Sequence, residues 1–315
     1  MTSGSNVVIP SDHRKSQTTL GGMLVHALQG LLMGTADVIP GVSGGTMALI
    51  LGIYERLVAT IHEVAAAAVA LIRGDRHQAI RRWRAVEFTL VLPLGVGIVI
   101  ALGVGSVVLP PLIETYPVVT SAVFFGLIAG ALPIPWRRIR QRQAGHYALA
   151  LVGAVAAFAI TGLAPRHIDD PALPLVFGAA AIAICAMILP GVSGAYLLLV
   201  FGMYEVTLGA VRDLNLAYVA VFVAGATAGL GAFSKLLSWL LTRRHDATMA
   251  VLVGLMTGAL RRLWPWISES GALEAPSDAG GLLLAAACAV IGIVLVVGLT
   301  TIGERTSISG ALERH

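Results

Sequence analysis

Pro40-Gly41-Val42-Ser43-Gly44-Gly45 lies inside an apolar stretch that closes with Gly52-Ile53-Tyr54-Glu55, and the chain then repeats it. Pro190-Gly191-Val192-Ser193-Gly194 is followed at the same spacing by Gly202, Tyr204 and Glu205. A Pro-Gly step within a bilayer-length apolar run frees backbone amides that lipid cannot satisfy, so each break must face protein or a wet cavity. Ser43-Gly44-Gly45-Thr46 and Ser193-Gly194 are placed to open new helices, whose first N–H groups lack intrahelical acceptors and carry partial positive charge. Such groups suit an anion.

The rest of the chain belongs to a polytopic membrane protein. Of its 315 residues 57% are hydrophobic and 12% charged, and glycine, at 36 residues, supplies the close helix contacts expected where no aqueous core exists. Apolar segments run over 20–36, 42–72, 88–109, 117–136, 146–164, 173–189, 192–211, 216–241, 247–264 and 281–302. Arg14 and Lys15, the arginines of the 73–86 and 137–145 loops, Arg243, Arg244, Arg305 and Arg314 mark one side, which the positive-inside rule makes cytoplasmic. Attraction to anionic headgroups is a second use for them. Arg166, Arg212, Arg261 and Arg262 fall opposite, beside a Trp264-Pro265-Trp266 belt.

Those charges sort to one face only if neither motif region makes a net crossing. The expected fold is therefore all-α, an inverted-topology repeat in which each half is a re-entrant hairpin plus about three transmembrane helices. The expected parts are a cytoplasmic tail over 1–19, a first repeat over 20–164, a second over 165–302 and a cytoplasmic tail over 303–315, with both termini cytoplasmic. Gly126-Leu127-Ile128-Ala129-Gly130-Ala131-Leu132 and Gly254-Leu255-Met256-Thr257-Gly258-Ala259-Leu260 form a second internal match, read as close helix packing. No cleavable signal peptide is visible.

Ionisable groups within the spans are costly unless paired or wet, which makes each a site candidate. Asp37 precedes the first break, Glu55 and Arg56 close the first motif, Glu205 matches Glu55, and Lys235 sits mid-span by count within 216–241. His62 and Glu63 are read as incidental. Ser43, Gly44, Gly45, Thr46, Ser193 and Gly194, with Arg56 and Lys235, are the expected anion-binding set. Pro40, Gly41, Pro190 and Gly191 are the expected hairpin breaks, and Asp37, Glu55 and Glu205 are assigned to charge pairing or proton coupling. No metal cluster, nucleotide loop or catalytic triad is readable, no cofactor is expected, and nothing points to nucleic acid. Cys185 and Cys288 lie in apolar segments and read as structural.

Ala36-Asp37-Val38-Ile39-Pro40-Gly41-Val42-Ser43-Gly44-Gly45-Thr46, with its Gly52-to-Leu57 sequel and the Met187-to-Glu205 copy, resembles the bacterial polyprenyl-phosphate transporter family, formerly a domain of unknown function. Glu114-Thr115-Tyr116-Pro117, Ser234-Lys235-Leu236-Leu237-Ser238-Trp239 and Leu260-Arg261-Arg262-Leu263-Trp264-Pro265-Trp266 are similar to that family's elements as well. Ala195-Tyr196 departs from its pattern, which has a small polar pair there. The resemblance implies a flippase of the bacterial inner membrane that returns undecaprenyl phosphate from the outer to the inner leaflet for cell-envelope polymer synthesis. A coupling proton or cation and self-association stay open.

Two other classes compete. An integral membrane polyprenyl diphosphate phosphatase also uses inverted hairpins and a Pro-Gly-x-Ser motif, but Gly44 and Gly194 stand where its arginine would be and no Glu-Glu pair is present. A carrier for a small soluble anion is the third reading.

Overall fold

The computed structural model describes residues 20–38, 43–268, 271–276 and 278–312; the tail over 1–19 and the breaks expected at Pro40 and Gly41 lie outside them. The helices are α1 Leu20–Val38, α2 Gly44–Ile50, α3 Tyr54–Ile72, α4 Arg76–Ala85, α5 Phe88–Thr115, α6 Pro117–Ala131, α7 Pro133–Arg137, α8 Ala144–Ile160, α9 Leu173–Ile188, α10 Gly194–Val200, α11 Tyr204–Arg212, α12 Leu216–Arg243, α13 His245–Ala259 and α14 Ala279–Leu312. A 3-10 turn over Leu260–Leu263 follows α13. Among the described residues the β-structure is a single Ile267–Leu273 bridge. The protein is all-helical. Phe88–Thr115, Pro117–Arg137, Leu216–Arg243 and Ala279–Thr301 are each long and apolar enough to cross a bilayer, and α8 and α9 are shorter apolar helices.

The duplicated sequence folds into a duplicated local structure. Ser43 caps α2 by accepting the Gly45 N–H at 3.1 Å, and Ser193 caps α10 by accepting the Tyr196 N–H at 3.3 Å. Both helices are 7 residues long. Each then stops at a glycine with φ +73°, Gly52 or Gly202, a left-handed conformation that a side chain would oppose. The following N–H closes the stop, Ile53 to the Ala48 carbonyl at 3.0 Å and Met203 to the Leu198 carbonyl at 2.8 Å. The apolar segments read as continuous over 42–72 and 192–211 are thus each divided at this glycine, with α10 and α11 meeting at 103°.

The 73–86 stretch, expected as a loop, is also corrected. Asp75 accepts the Gln78 N–H at 2.9 Å and starts α4, which doubles back along α3 through Arg82–Glu63 at 3.0 Å. At the other end, α14 continues without a break through 303–312.

Glycine sets the packing of the long helices. Gly30 and Gly34 of α1 sit on the Leu94 and Ile98 carbonyls of α5; Gly225 and Gly229 of α12 sit on the Phe177 and Ala181 carbonyls of α9. Gly126 and Gly130 of α6 meet Ala289 and Ile293 of α14, and Gly254 and Gly258 of α13 meet the Ala150 and Ala154 carbonyls of α8. Residue numbers rise together in every pair, so all of these helices pack in parallel. Parallel α1 and α5 require the chain between them to come back to the level at which α1 began, and the same holds for α9 and α12.

A methyl at Gly126 or Gly254 would overlap a backbone carbonyl, whereas one at Gly95 would meet nothing within 4 Å. Gly126→Val and Gly254→Val are expected to cost at least about 1–3 kcal/mol and to lower the melting temperature in detergent by several degrees. Gly95→Ala should leave it unchanged or slightly raised.

Candidate functional site

The two motif tips pack directly against each other. The Ser43 hydroxyl, whose residue is 1% exposed, faces the Met187 and Leu189 carbonyls, both at 3.2 Å, and its one proton serves them alternately. Gly191 donates its N–H to the Thr46 hydroxyl at 2.9 Å, and Thr46 is equally buried. These bonds need the backbones close together. A methyl on Gly45 would run into the Ile188 carbonyl, and one on Gly191, whose φ is +85°, into the backbone of Met256.

The tips differ in charge. Asp37 accepts the Gly44 N–H at 2.6 Å, so the first tip carries its own carboxylate, and a methyl on Gly44 would strike it. Met187 stands at the matching place in the second motif. There the Gly194 N–H finds no acceptor among the described residues, and a methyl on Gly194 would strike the Ala183 carbonyl. Pro190, preceding that tip, is buried.

The other expected charges sort to the ends of the bundle. Arg56 pairs with Glu87 at 2.7 Å, a carboxylate that counting within spans passed over because it lies one residue before an apolar run. Glu55 is met by Arg138 at 3.4 Å and by His245 at 3.3 Å, while Asp246 accepts the Arg140 and Gln141 N–H groups at 3.1 Å. At the opposite end Glu205 lies 3.4 Å from His167, whose other ring nitrogen is 2.9 Å from Asp169. Both motif glutamates therefore meet a histidine from outside the motif.

Lys235 is exposed and has no ion-pair partner among the described residues. Phe177 beside Gly225 and Ala181 beside Gly229 fix the register of α9 and α12. Carried forward a turn and a half, that register sets Lys235 level with Met187, at the depth of the tips.

Tyr196 has a definite place. It is 4% exposed, and its hydroxyl donates to the Thr161 and Leu163 carbonyls at 3.0 and 2.7 Å, tying α10 to the end of α8. Nothing in the local sequence signals that pairing, since the carbonyls lie more than thirty positions away.

Comparison with known proteins gives the chain relatives. The family described as undecaprenyl phosphate translocase-like matches residues 33–279. A polyprenyl-phosphate transporter of Vibrio cholerae is 39% identical over 239 residues, covering 76% of this chain and 77% of that protein. One of Staphylococcus aureus is 30% identical over 258 residues, covering 76% of this chain and 86% of that protein. No solved structure gives a significant match.

Thr46→Val keeps the shape of the side chain but leaves the Gly191 N–H buried without an acceptor, at an expected cost of about 1–3 kcal/mol. Thermal unfolding in detergent should register that loss, and Thr46→Ser should recover most of it.

Proposed function

Because the chain belongs to the undecaprenyl phosphate translocase-like family, we propose that it moves undecaprenyl phosphate from the outer to the inner leaflet of a bacterial inner membrane, returning the carrier lipid for envelope polymer synthesis. The observation that carries the reading is the direct contact of the two tips. A lipid phosphate cannot cross the apolar interior unless its hydration is replaced, and the paired tips bring hydroxyls and amides of two like segments to one place. The relatives are named as transporters, and the chain is read with them as a carrier rather than a phosphatase.

The parallel pairing of α1 with α5 and of α9 with α12 supports two hairpins that enter and return on the same side, the first from the cytoplasm and the second from outside. The reciprocal packing of α6 on α14 and of α13 on α8 supports the inverted repeat of 20–164 and 165–302. With the arginine-rich end cytoplasmic, both termini are cytoplasmic.

In this scheme the phosphate exchanges for the protein's own partners at the tips. Ser43 and Thr46 now bond the facing tip and become available as the tips part, whereas the Gly44 N–H is held by Asp37 and the Gly45 N–H by Ser43, both within the first tip. Ser193 and Gly194 carry no such carboxylate, and Lys235 at their level supplies positive charge. Arg56, held by Glu87, joins on the cytoplasmic side. Asp37, Glu55 and Glu205 are the groups through which a proton would be coupled. The prenyl chain stays in lipid.

Liposomes carrying the purified protein and labelled undecaprenyl phosphate, read by a leaflet-specific probe, test this. Wild type should transfer the label between leaflets, Lys235→Ala and Ser43→Ala should each slow it about tenfold or more, as expected for losing one bond to a charged group, and soluble phosphate should not compete. No transfer by wild type would sink the proposal. Glu55→Gln with Glu205→Gln should flatten the pH dependence of the rate; an unchanged profile would remove these two from proton coupling.

A further inference from the structure

Arg261 and Arg262 are neighbours in the 3-10 turn after α13, yet they are used differently. Arg261 donates to the Phe158 carbonyl at 3.1 Å and the Gly271 carbonyl at 3.0 Å, with its guanidinium 4.4 Å from the Phe158 ring centroid. It stitches the end of α8 to the turn and to the following loop. Arg262 has no hydrogen bond or ion pair among the described residues. Its guanidinium lies 5.1 Å from the centroid of the Tyr196 ring, and it is half-buried. The ring cannot move away, because its hydroxyl is fastened to Thr161 and Leu163. An arginine covered on one face by an aromatic ring keeps its five N–H donors at the edge, in the fork that fits a phosphate.

The position of this fork gives it a role. Met256, six residues before Arg262, packs on Gly191 at the second tip, and Tyr196 stands three positions after Ser193. Resting on the function proposed above, we infer that Arg262 is a substrate-binding residue: its guanidinium, set over the Tyr196 ring, takes the phosphate monoester of the polyprenyl lipid on its way from the α13 C-terminal end to the tips. The uncompensated cation draws the anion from that end, and the platform holds the fork in place before the headgroup arrives. Lys235, at the depth of the tips, then receives it.

The test is binding of undecaprenyl phosphate, with undecaprenol as the uncharged comparator, to protein in nanodiscs. Arg262→Gln should weaken binding of the phosphate about tenfold to a hundredfold, as loss of a charge-assisted fork does, while leaving undecaprenol binding and the melting temperature as in wild type. Arg262→Lys, which keeps the charge without the fork, should fall between. Arg261→Gln should lower the melting temperature and keep the preference for phosphate over prenol. Phosphate binding by Arg262→Gln within twofold of wild type overturns the inference, as does an equal loss of preference in Arg261→Gln. If Arg262→Gln does not purify, binding by Arg262→Lys within twofold of wild type overturns it. A wild-type protein that binds phosphate and prenol alike overturns the proposed function as well, which separates the two failures.

Discussion

The exchange of hydrogen bonds between the two tips is the constraint on which the arrangement depends. Breaking a helix inside apolar surroundings strands donors and acceptors that have no water to turn to, and each left unpaired costs more than the bond itself is worth. Here the first tip repairs the second: Thr46 accepts from the Gly191 N–H, and Ser43 donates in turn to the Met187 and Leu189 carbonyls. The glycines at 45 and 191 follow from that repair, since it requires backbones closer than a side chain permits. Parting the tips is therefore costly unless another partner replaces what is lost, and a phosphate, rich in acceptors, can replace the acceptors but not the donors.

Around that contact the frame is stiff. The parallel helix pairs are in backbone contact through glycines 30, 34, 126, 130, 225, 229, 254 and 258, and packed interfaces of this kind do not deform gradually. The motif helices α2 and α10 are short and end at left-handed glycines, each followed by a new helix. The breaks in regular helix thus lie in the segments between tip and glycine, while the long helices are locked in register by their glycine contacts.

Much of this was readable from the chain because duplication reports on shape. Two copies of Pro-Gly-x-Ser with Gly and Tyr-Glu behind them implied two like hairpins, and the Gly126 and Gly254 copies implied close packing; both stretches do pack by glycine. What the residues did not announce were pairings set by tertiary folding. A run from 42 to 72 reads as one apolar segment because hydropathy is blind to a single left-handed glycine at 52. The 73–86 stretch reads as a charged loop until Asp75 is recognised as a cap. Glu87, His167 and His245 gained partners only when distant segments met, and Tyr196 looked out of pattern until Thr161 and Leu163 supplied its acceptors.

The duplication is imperfect at several positions, and one of them, Asp37 against Met187, makes the tips unlike in charge. Asp37 and Met187 occupy equivalent places, so one tip brings a carboxylate to its own first amide and the other brings a thioether. An incoming anion is repelled by the first and not by the second. The cations agree with that division: Lys235 stands level with Met187, Arg262 lies over Tyr196 just beyond Ser193, and Arg56 is neutralised by Glu87. The two motif glutamates stand at opposite ends of the bundle, beside His245 and His167, away from the tips. For the function proposed above, this division favours the second tip as the place for an anion, since the first is already supplied with a carboxylate.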